Sequence, residues 1–150
     1  RPLTYKKPNL PADVVQMRTD AANRQKDSTA AFRAAGQRIA ADPNLNQLIS
    51  TKNRLNRIEV PGIYLFGRQD DLSPVENGYN QEDVLPNVQF FYPDECGHVG
   101  QQDQPEMFGQ VFLEFFRDGK VSRKTAEWAG VSQRRQELPQ YVEQEAAVPV

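Results

Sequence analysis

Apolar residues along this chain change their spacing twice, and each change marks a different kind of element. From Arg1 to about Pro11 the residues are mostly Pro, Lys and Asn with little to bury, the pattern of an extended arm that needs a surface to lie on. Pro11 opens a helical stretch in which Val14, Val15 and Met17 gather near Arg18; proline suits a helix start because the N–H it lacks would have had no partner there. Ser28 is placed to cap a second helix, with Ala31, Phe32, Ala35 and Ile39 at helical spacing. A third is expected from Asn44 to Leu55, edged by Leu45, Leu48, Ile49 and Leu55. These stripes are thin and flanked by charge, which suits a layer covering another domain better than a core.

Between Val60 and about Gly119 the texture becomes alternating strand and helix. Ile63-Tyr64-Leu65-Phe66, entered through Pro61-Gly62, is a continuous apolar run, as expected of a strand buried on both faces of a parallel sheet. Val88-Gln89-Phe90-Phe91-Tyr92 is a second run that stops at Pro93, and Pro74 to Val84 is long enough for the crossover helix between them. The clearest helix begins at Pro105, carries Phe108, Val111, Phe112 and Phe115 at i, i+3, i+4 and i+7, and ends at Gly119. Each buried Phe there contributes about 1.5–3 kcal/mol. The expected division is therefore residues 1–57 as an arm with helices, 58–119 as an α/β unit, and 120–150 as an extension.

The chain has 150 residues, of which 38% are hydrophobic and 25% charged, with 11 prolines. That is lean for a self-contained globule, so a partner surface is expected. A formal charge of −2 with Lys and Arg scattered among Asp and Glu provides no field for nucleic acid or anionic lipid, and neither is expected as a ligand. Thr125 to Ser132 faintly resembles the turn of a helix-turn-helix, but the tail that follows is acidic at Glu137, Glu143 and Glu145, which argues against phosphate contacts. Trp128 is expected to pack on the body or on a neighbouring subunit, and the stretch from Leu138 onward to wrap a surface or stay disordered. One Cys and one His allow no internal disulfide and make a structural zinc site untenable. No apolar run is long enough for a membrane span, and a reducing, cytoplasmic setting is expected. The start at Arg1 fits a chain cut from a longer precursor and fits a chosen boundary equally well.

Two loops hold the chemistry. Gly67-Arg68-Gln69-Asp70 follows the first apolar run and Cys96-Gly97-His98 follows the second, so a carboxylate and the sole imidazole are presented at strand ends. An imidazole titrating near neutrality and a carboxylate that orients it are the base half of a catalytic triad. The nucleophile half is missing: no Gly-x-Ser-x-Gly occurs, and Ser28, Ser50, Ser73, Ser122 and Ser132 stand in no comparable context. Asp71 competes with Asp70 for the acid but reads as a solvated turn carboxylate. Cys96 reads as a small buried side chain rather than a thiol nucleophile.

Val60-Pro61-Gly62-Ile63-Tyr64-Leu65-Phe66-Gly67-Arg68-Gln69-Asp70 resembles the penultimate-strand motif of the α/β-hydrolase fold. Cys96-Gly97-His98 with Gln104-Pro105-Glu106-Met107-Phe108 is similar to that fold's histidine loop and closing helix. Spacing and tripeptide look most like the meta-cleavage product hydrolases, which cut carbon–carbon bonds in ring-cleavage products of aromatic catabolism. The resemblance implies an α/β fold made of the C-terminal portion of an α/β-hydrolase: cap helices plus the last two parallel strands and flanking helices, completed by another chain. It implies Asp70 as the triad acid, His98 as the base, Arg18 as a clamp for the substrate's carboxylate or enolate, and Val99 at a substrate-contacting position where some members carry Trp. It further implies a small-molecule substrate, an N-terminal half bearing the nucleophile as a separate chain, a homo-oligomer of the assembled unit, and no metal or organic cofactor. Ester, lactone or epoxide hydrolysis on the same framework stays open, as does a non-catalytic assembly module.

Overall fold

In the computed structural model, residues 3–5, 11–51, 54–135 and 141–143 are described. The chain divides into two compact units, one formed by Leu10–Leu55 and the other by Arg1–Asn9 with Asn56–Val150. The N-terminal arm thus groups with the sheet and not with the helices that follow it, and the C-terminal extension belongs to the same unit as the sheet.

The helical unit contains α1 (Ala12–Arg24), α2 (Lys26–Ala41) and α3 (Pro43–Ile49). None of the three buries a residue, and Phe32 is 84% exposed, so it has no core of its own. Two expected boundaries move. Ser28 does not cap α2, which starts at Lys26 after Gln25 with no side-chain cap; helix α1 runs on almost to that point and leaves no non-helical residue where Ser28 could act. The third helix begins and ends earlier than expected, because Asp42 caps it by accepting the N–H groups of Asn44 and Leu45 with Pro43 at the first turn. Leu55 falls instead in a short 3₁₀ turn, Leu55–Arg57.

In the second unit, β1 (Gly62–Leu65) and β2 (Val88–Phe91) pair in parallel, with Tyr64 opposite Phe90 and Leu65 opposite Phe91. The crossover contains α4 (Glu76–Glu82). Two parallel strands cannot be joined by a tight turn, which is why a helix must intervene. Behind β2 come α5 (Gly100–Asp103), α6 (Pro105–Asp118) and α7 (Arg123–Trp128). Pro105 opens α6 and Gly119 closes it at φ 70°, where its N–H reaches Phe115 O; a left-handed residue there favours glycine. The core gathers Phe91, Cys96, Met107, Phe108, Val111, Phe115, Val121, Ala126 and Ala129.

The two strands differ in cover. Phe90 and Phe91 of β2 are fully buried, whereas Tyr64 of β1 is 37% exposed, which corrects the expectation that both faces of Ile63–Phe66 are covered. The cause is position in the sheet. The outer edge of β2 is sealed by the extension, where Tyr92 N–H donates to Gly130 O and Ser132 N–H to Phe90 O, antiparallel across Phe91 and Val131. Gly130 can approach only because it lacks a side chain: a Cβ there would lie 2.5 Å from Tyr92 O. On β1, Gly62 N–H and Phe66 N–H go to Asn87 O and Phe91 O, so by the two-residue period Ile63 and Leu65 face the other way. Among the described residues no strand pairs with that edge.

The extension is held by buried polar bonds. Glu114 on α6, 7% exposed, accepts from Ser122 N–H at 2.7 Å, Thr125 Oγ1 at 2.8 Å and Gln110 Nε2 at 2.8 Å. Burial pushes its carboxyl up, but the bonds from Gln110, Ser122 and Thr125 outweigh that and hold it below the usual carboxylate range. Arg134 pairs with the buried Glu82 and lies over the Tyr79 ring, while Arg135 donates to the carbonyls of Glu82 and Leu85. Trp128 is 54% exposed, while Thr125 and Ala126 of α7 and Ala129 after it turn inward. Phe112 is likewise 40% exposed, and Met107 takes its expected place in the α6 core. Of the tail, Tyr141 stacks edge-on against Phe115 and Val142 bridges Val121; residues 138–140 and 144–150 lie outside the described residues.

Replacing Glu114 by alanine leaves Ser122 N–H, the hydroxyls of Ser122 and Thr125 and the Gln110 amide without this acceptor. Loss of such buried bonds costs about 1–3 kcal/mol. Urea unfolding should show an unfolding free energy lower by that amount, seen as a lower midpoint at unchanged m, and a variant as stable as the parent would mean the extension is not anchored through α6.

Candidate active site

The loops after β1 and β2 are laced together before either presents a functional group. Arg68 N–H donates to Pro93 O, Gln69 N–H to Cys96 O, and Cys96 N–H returns to Gln69 Oε1 at 3.2 Å. Arg68 Nε also donates to Tyr92 O. The backbones come so close that a Cβ on Gly67 would lie 2.5 Å from both Cys96 O and Gly97 O. Glycine is required there by contact with immovable backbone. Between these clamps Glu95 takes φ 54°, a conformation that costs a non-glycine residue about 1–3 kcal/mol and lets the chain reverse toward Cys96.

Asp70 and His98 meet at the end of this lacing. Their side chains are 2.9 Å apart, His98 Nδ1 to Asp70 Oδ2. The other oxygen of Asp70, Oδ1, accepts Leu72 N–H at 2.8 Å and Ser73 N–H at 2.9 Å. Burial raises the Asp70 carboxyl, but the bonds from Ser73, His98 and Leu72 win, and it titrates below the ordinary value. The Asp70 side chain is 5% exposed and that of His98 41%. An ionised carboxylate only accepts, so Nδ1 carries the proton and donates. Neutral His98 then keeps its lone pair on Nε2, the form a general base needs.

The pair borders a cavity of about 150 Å³ lined among others by Tyr64, Leu65, Ser73, Gln81, Gln101 and Phe108. The hydroxyl of Ser73 accepts from Asn77 Nδ2, and among the described residues no serine hydroxyl bonds to His98. Cys96 is fully buried, and burial, with Asp103, Asp94 and Glu95 nearby, pushes its thiol up to about 12, which removes it as a nucleophile at neutral pH. Asp71 lies exposed beside Asp70. Val99 is half-buried and its N–H donates to Leu3 O; the cavity wall passes from His98 to Gly100 without it. Arg18 is exposed on α1 of the helical unit. Among the described residues no group of three His, Cys, Asp or Glu side chains could hold a metal ion, and no helix is long and apolar enough to cross a membrane. Sequence reading found the pair and missed Gln69 and Asp103, whose roles come from folding; neither stands in a motif that would have marked it.

Because folded Asp70 titrates below its unfolded value of about 4, its contribution to stability is complete above that pH and disappears as pH falls through the depressed folded value. Melting temperatures of the parent and of Asp70→Asn should therefore converge on acidification below about pH 4. A gap as wide at the lowest pH as at neutrality would show that the ionisation of Asp70 contributes nothing to folding.

No protein-family model matches the chain. Over 72 residues, 48% of the chain, it is 35% identical to a 2-hydroxy-6-oxononadienedioate/2-hydroxy-6-oxononatrienedioate hydrolase of Paraburkholderia phymatum, of which the match covers 25%. A hydrolase of the same description from Cupriavidus pinatubonensis is 27% identical over 111 residues, 74% of the chain and 37% of that protein. These matches thus span between a quarter and well under half of the curated relatives' length. Among solved structures, a bacterial membrane phospholipase A superposes with TM-score 0.59 at 24% identity, over 78% of this chain and 35% of that one. An α/β-hydrolase enzyme from a lagoon-sediment metagenome gives TM-score 0.48 at 21% identity over 74% of this chain and 47% of its own, too loose a likeness to weigh. The parallel strand–helix–strand, with an acid after the first strand, a histidine after the second and a closing helix, defines a partial α/β-hydrolase fold. Over the matched stretch, the chain is similar to hydrolases of the meta-cleavage product type.

Proposed function

We propose that this chain supplies the acid and the base of a Ser-Asp-His triad in a hydrolase of ring-cleavage products. The observation that carries the reading is the single hydrogen bond between a buried, ionised Asp70 and the exposed ring of His98, which leaves Nε2 directed away from its partner and available for proton transfer. In this reading His98 takes a proton from the attacking group as it adds to a ketone carbonyl. It then returns a proton to the carbon fragment as the adjacent carbon–carbon bond breaks. The electron pair of that bond passes into the conjugated system of a 2-hydroxy-6-oxo-dienoate type substrate, and the carbonyl side stays on the nucleophile as an ester, until a water that gives its proton to His98 adds to it and releases it as a carboxylic acid. Asp70 holds the imidazole in the productive tautomer and stabilises the imidazolium. Arg18 would bind a substrate carboxylate.

The nucleophile and the donors for the oxyanion come from a completing segment, expected as a separate N-terminal chain with its own strands. The edge of β1, with which no strand pairs among the described residues, supports this, since exposed strand edges invite pairing. The whole is expected to act in the cytoplasm as a homo-oligomer of the assembled unit, without cofactor. The test is reconstitution with a chain carrying the N-terminal half of a relative, followed by assay on a 2-hydroxy-6-oxo-dienedioate and on short acyl esters. Dienoate cleavage that needs both chains is the expected result. Ester hydrolysis alone would move the assignment to an esterase, and no turnover with any substrate would leave a binding or assembly module.

A further inference from the structure

Among the described residues His98 has no backbone hydrogen bond of its own, yet both of its neighbours are tied to the same distant segment, Val99 directly and Gly97 through Asp103. Gly97 N–H donates to Asp103 Oδ2 at 2.9 Å. Asp103 also accepts Tyr5 N–H on both oxygens at 3.0 Å. On the far side of the histidine, Val99 N–H donates to Leu3 O at 3.0 Å. Between these points Thr4 is buried, 8% exposed, and a Cβ on Gly97 would meet Leu3 O and Tyr5 N at 3.0 Å, so the strap Leu3–Tyr5 lies flat against the histidine loop. A carboxylate suits this junction because two N–H groups converge on it, and an amide would have to turn its own N–H₂ toward one of them.

We propose that Asp103 is the positioning residue of His98: its carboxylate staples the Leu3–Tyr5 strap to Gly97 and so sets the ring against Asp70. The effect on turnover rests on the function proposed above; the effect on the ring does not. The chain has one histidine, so ¹⁵N-histidine labelling of the full chain reports a single imidazole, and the exchange of its Nδ1 proton with water measures how firmly the ring is held to Asp70. Asp103→Asn should speed that exchange by about tenfold, the effect of losing one such bond, while amide exchange at Val111 in the α6 core stays unchanged. Tyr5→Pro, which deletes the donor on the strap together with the phenol, should act in the same direction when compared with Tyr5→Ala, which keeps the N–H. In the assembled hydrolase, Asp103→Asn should lower kcat and leave KM unchanged.

An Nδ1 proton indifferent to both variants overturns the proposal, as does a loss of protection that is equal at Val111, since Asp103 would then be a general scaffold contact. Should Asp103→Asn not fold, Tyr5→Pro decides by the same readout. If the assembled protein cleaves no dienoate while Asp103→Asn still loosens the ring, the substrate reading fails and the staple stands. Cleavage that ignores Asp103 sinks the staple alone.

Discussion

Replacing His98 by alanine in the assembled hydrolase should lower kcat by on the order of 10⁴-fold with KM nearly unchanged, as expected when a triad base is removed but binding and oxyanion contacts persist. The side chain is 41% exposed and contributes one side-chain bond, so the variant should fold as the parent does, and its melting temperature checks this. The one other imidazole-like option is closed, because the sequence holds a single histidine, and the Cys96 thiol, pushed up to about 12, cannot substitute as a base near neutrality. Turnover within about tenfold of the parent would remove general-base chemistry from this site.

Asp70→Asn should be almost as damaging, for a reason that the hydrogen bonds make specific. Oδ1 is held by two N–H donors, from Leu72 and Ser73. An asparagine keeps its carbonyl oxygen there and is forced to turn its N–H₂ toward His98. The imidazole must then accept at Nδ1, which moves its proton to Nε2 and leaves no lone pair facing the substrate. A tautomer error of this kind costs about 10⁴-fold in kcat without a change of fold. The measurement is kcat across pH together with the Nδ1 proton resonance: its loss in the variant is expected, and a retained resonance with full activity would exclude Asp70 as the orienting acid. Asp71→Asn is the matched control, since Asp71 is exposed and carries neither the His98 bond nor the two turn bonds of its neighbour.

How much of this could be read beforehand differs by element. The α6 stripe was legible because Phe108, Val111 and Phe115 repeat at helical spacing and Pro105 and Gly119 punctuate both ends. The two strands were legible as apolar runs, but their cover was not: Ile63–Phe66 and Val88–Tyr92 have the same texture, and only pairing made one an edge and the other a centre. The half-exposure of Trp128 was not legible, because the direction of α7 is set by Ser122 at its cap, with Ala126 and Ala129 turned into the core. Small residues allow helices to pack closely and carry little signal in a sequence. The arm was read as needing a surface, and it has one in Leu3–Tyr5 on the histidine loop; which surface it was lay beyond any local pattern.

The amino-acid order alone determined what depends on short-range periodicity and on residue type: a strand–helix–strand unit, a capped amphipathic helix, and an acid and a histidine each placed just after a strand. Tertiary structure decided what depends on contacts between residues distant in the chain. It set the 2.9 Å approach of His98 to Asp70, the bare backbone contact that demands Gly67, the junction of Tyr5 and Gly97 on Asp103, and the sealing of β2 by Gly130–Ser132. The physical reason is range: a helical or strand period is fixed within a few residues, whereas a hydrogen bond between side chains needs both backbones to arrive, and packing of the whole unit alone brings them there.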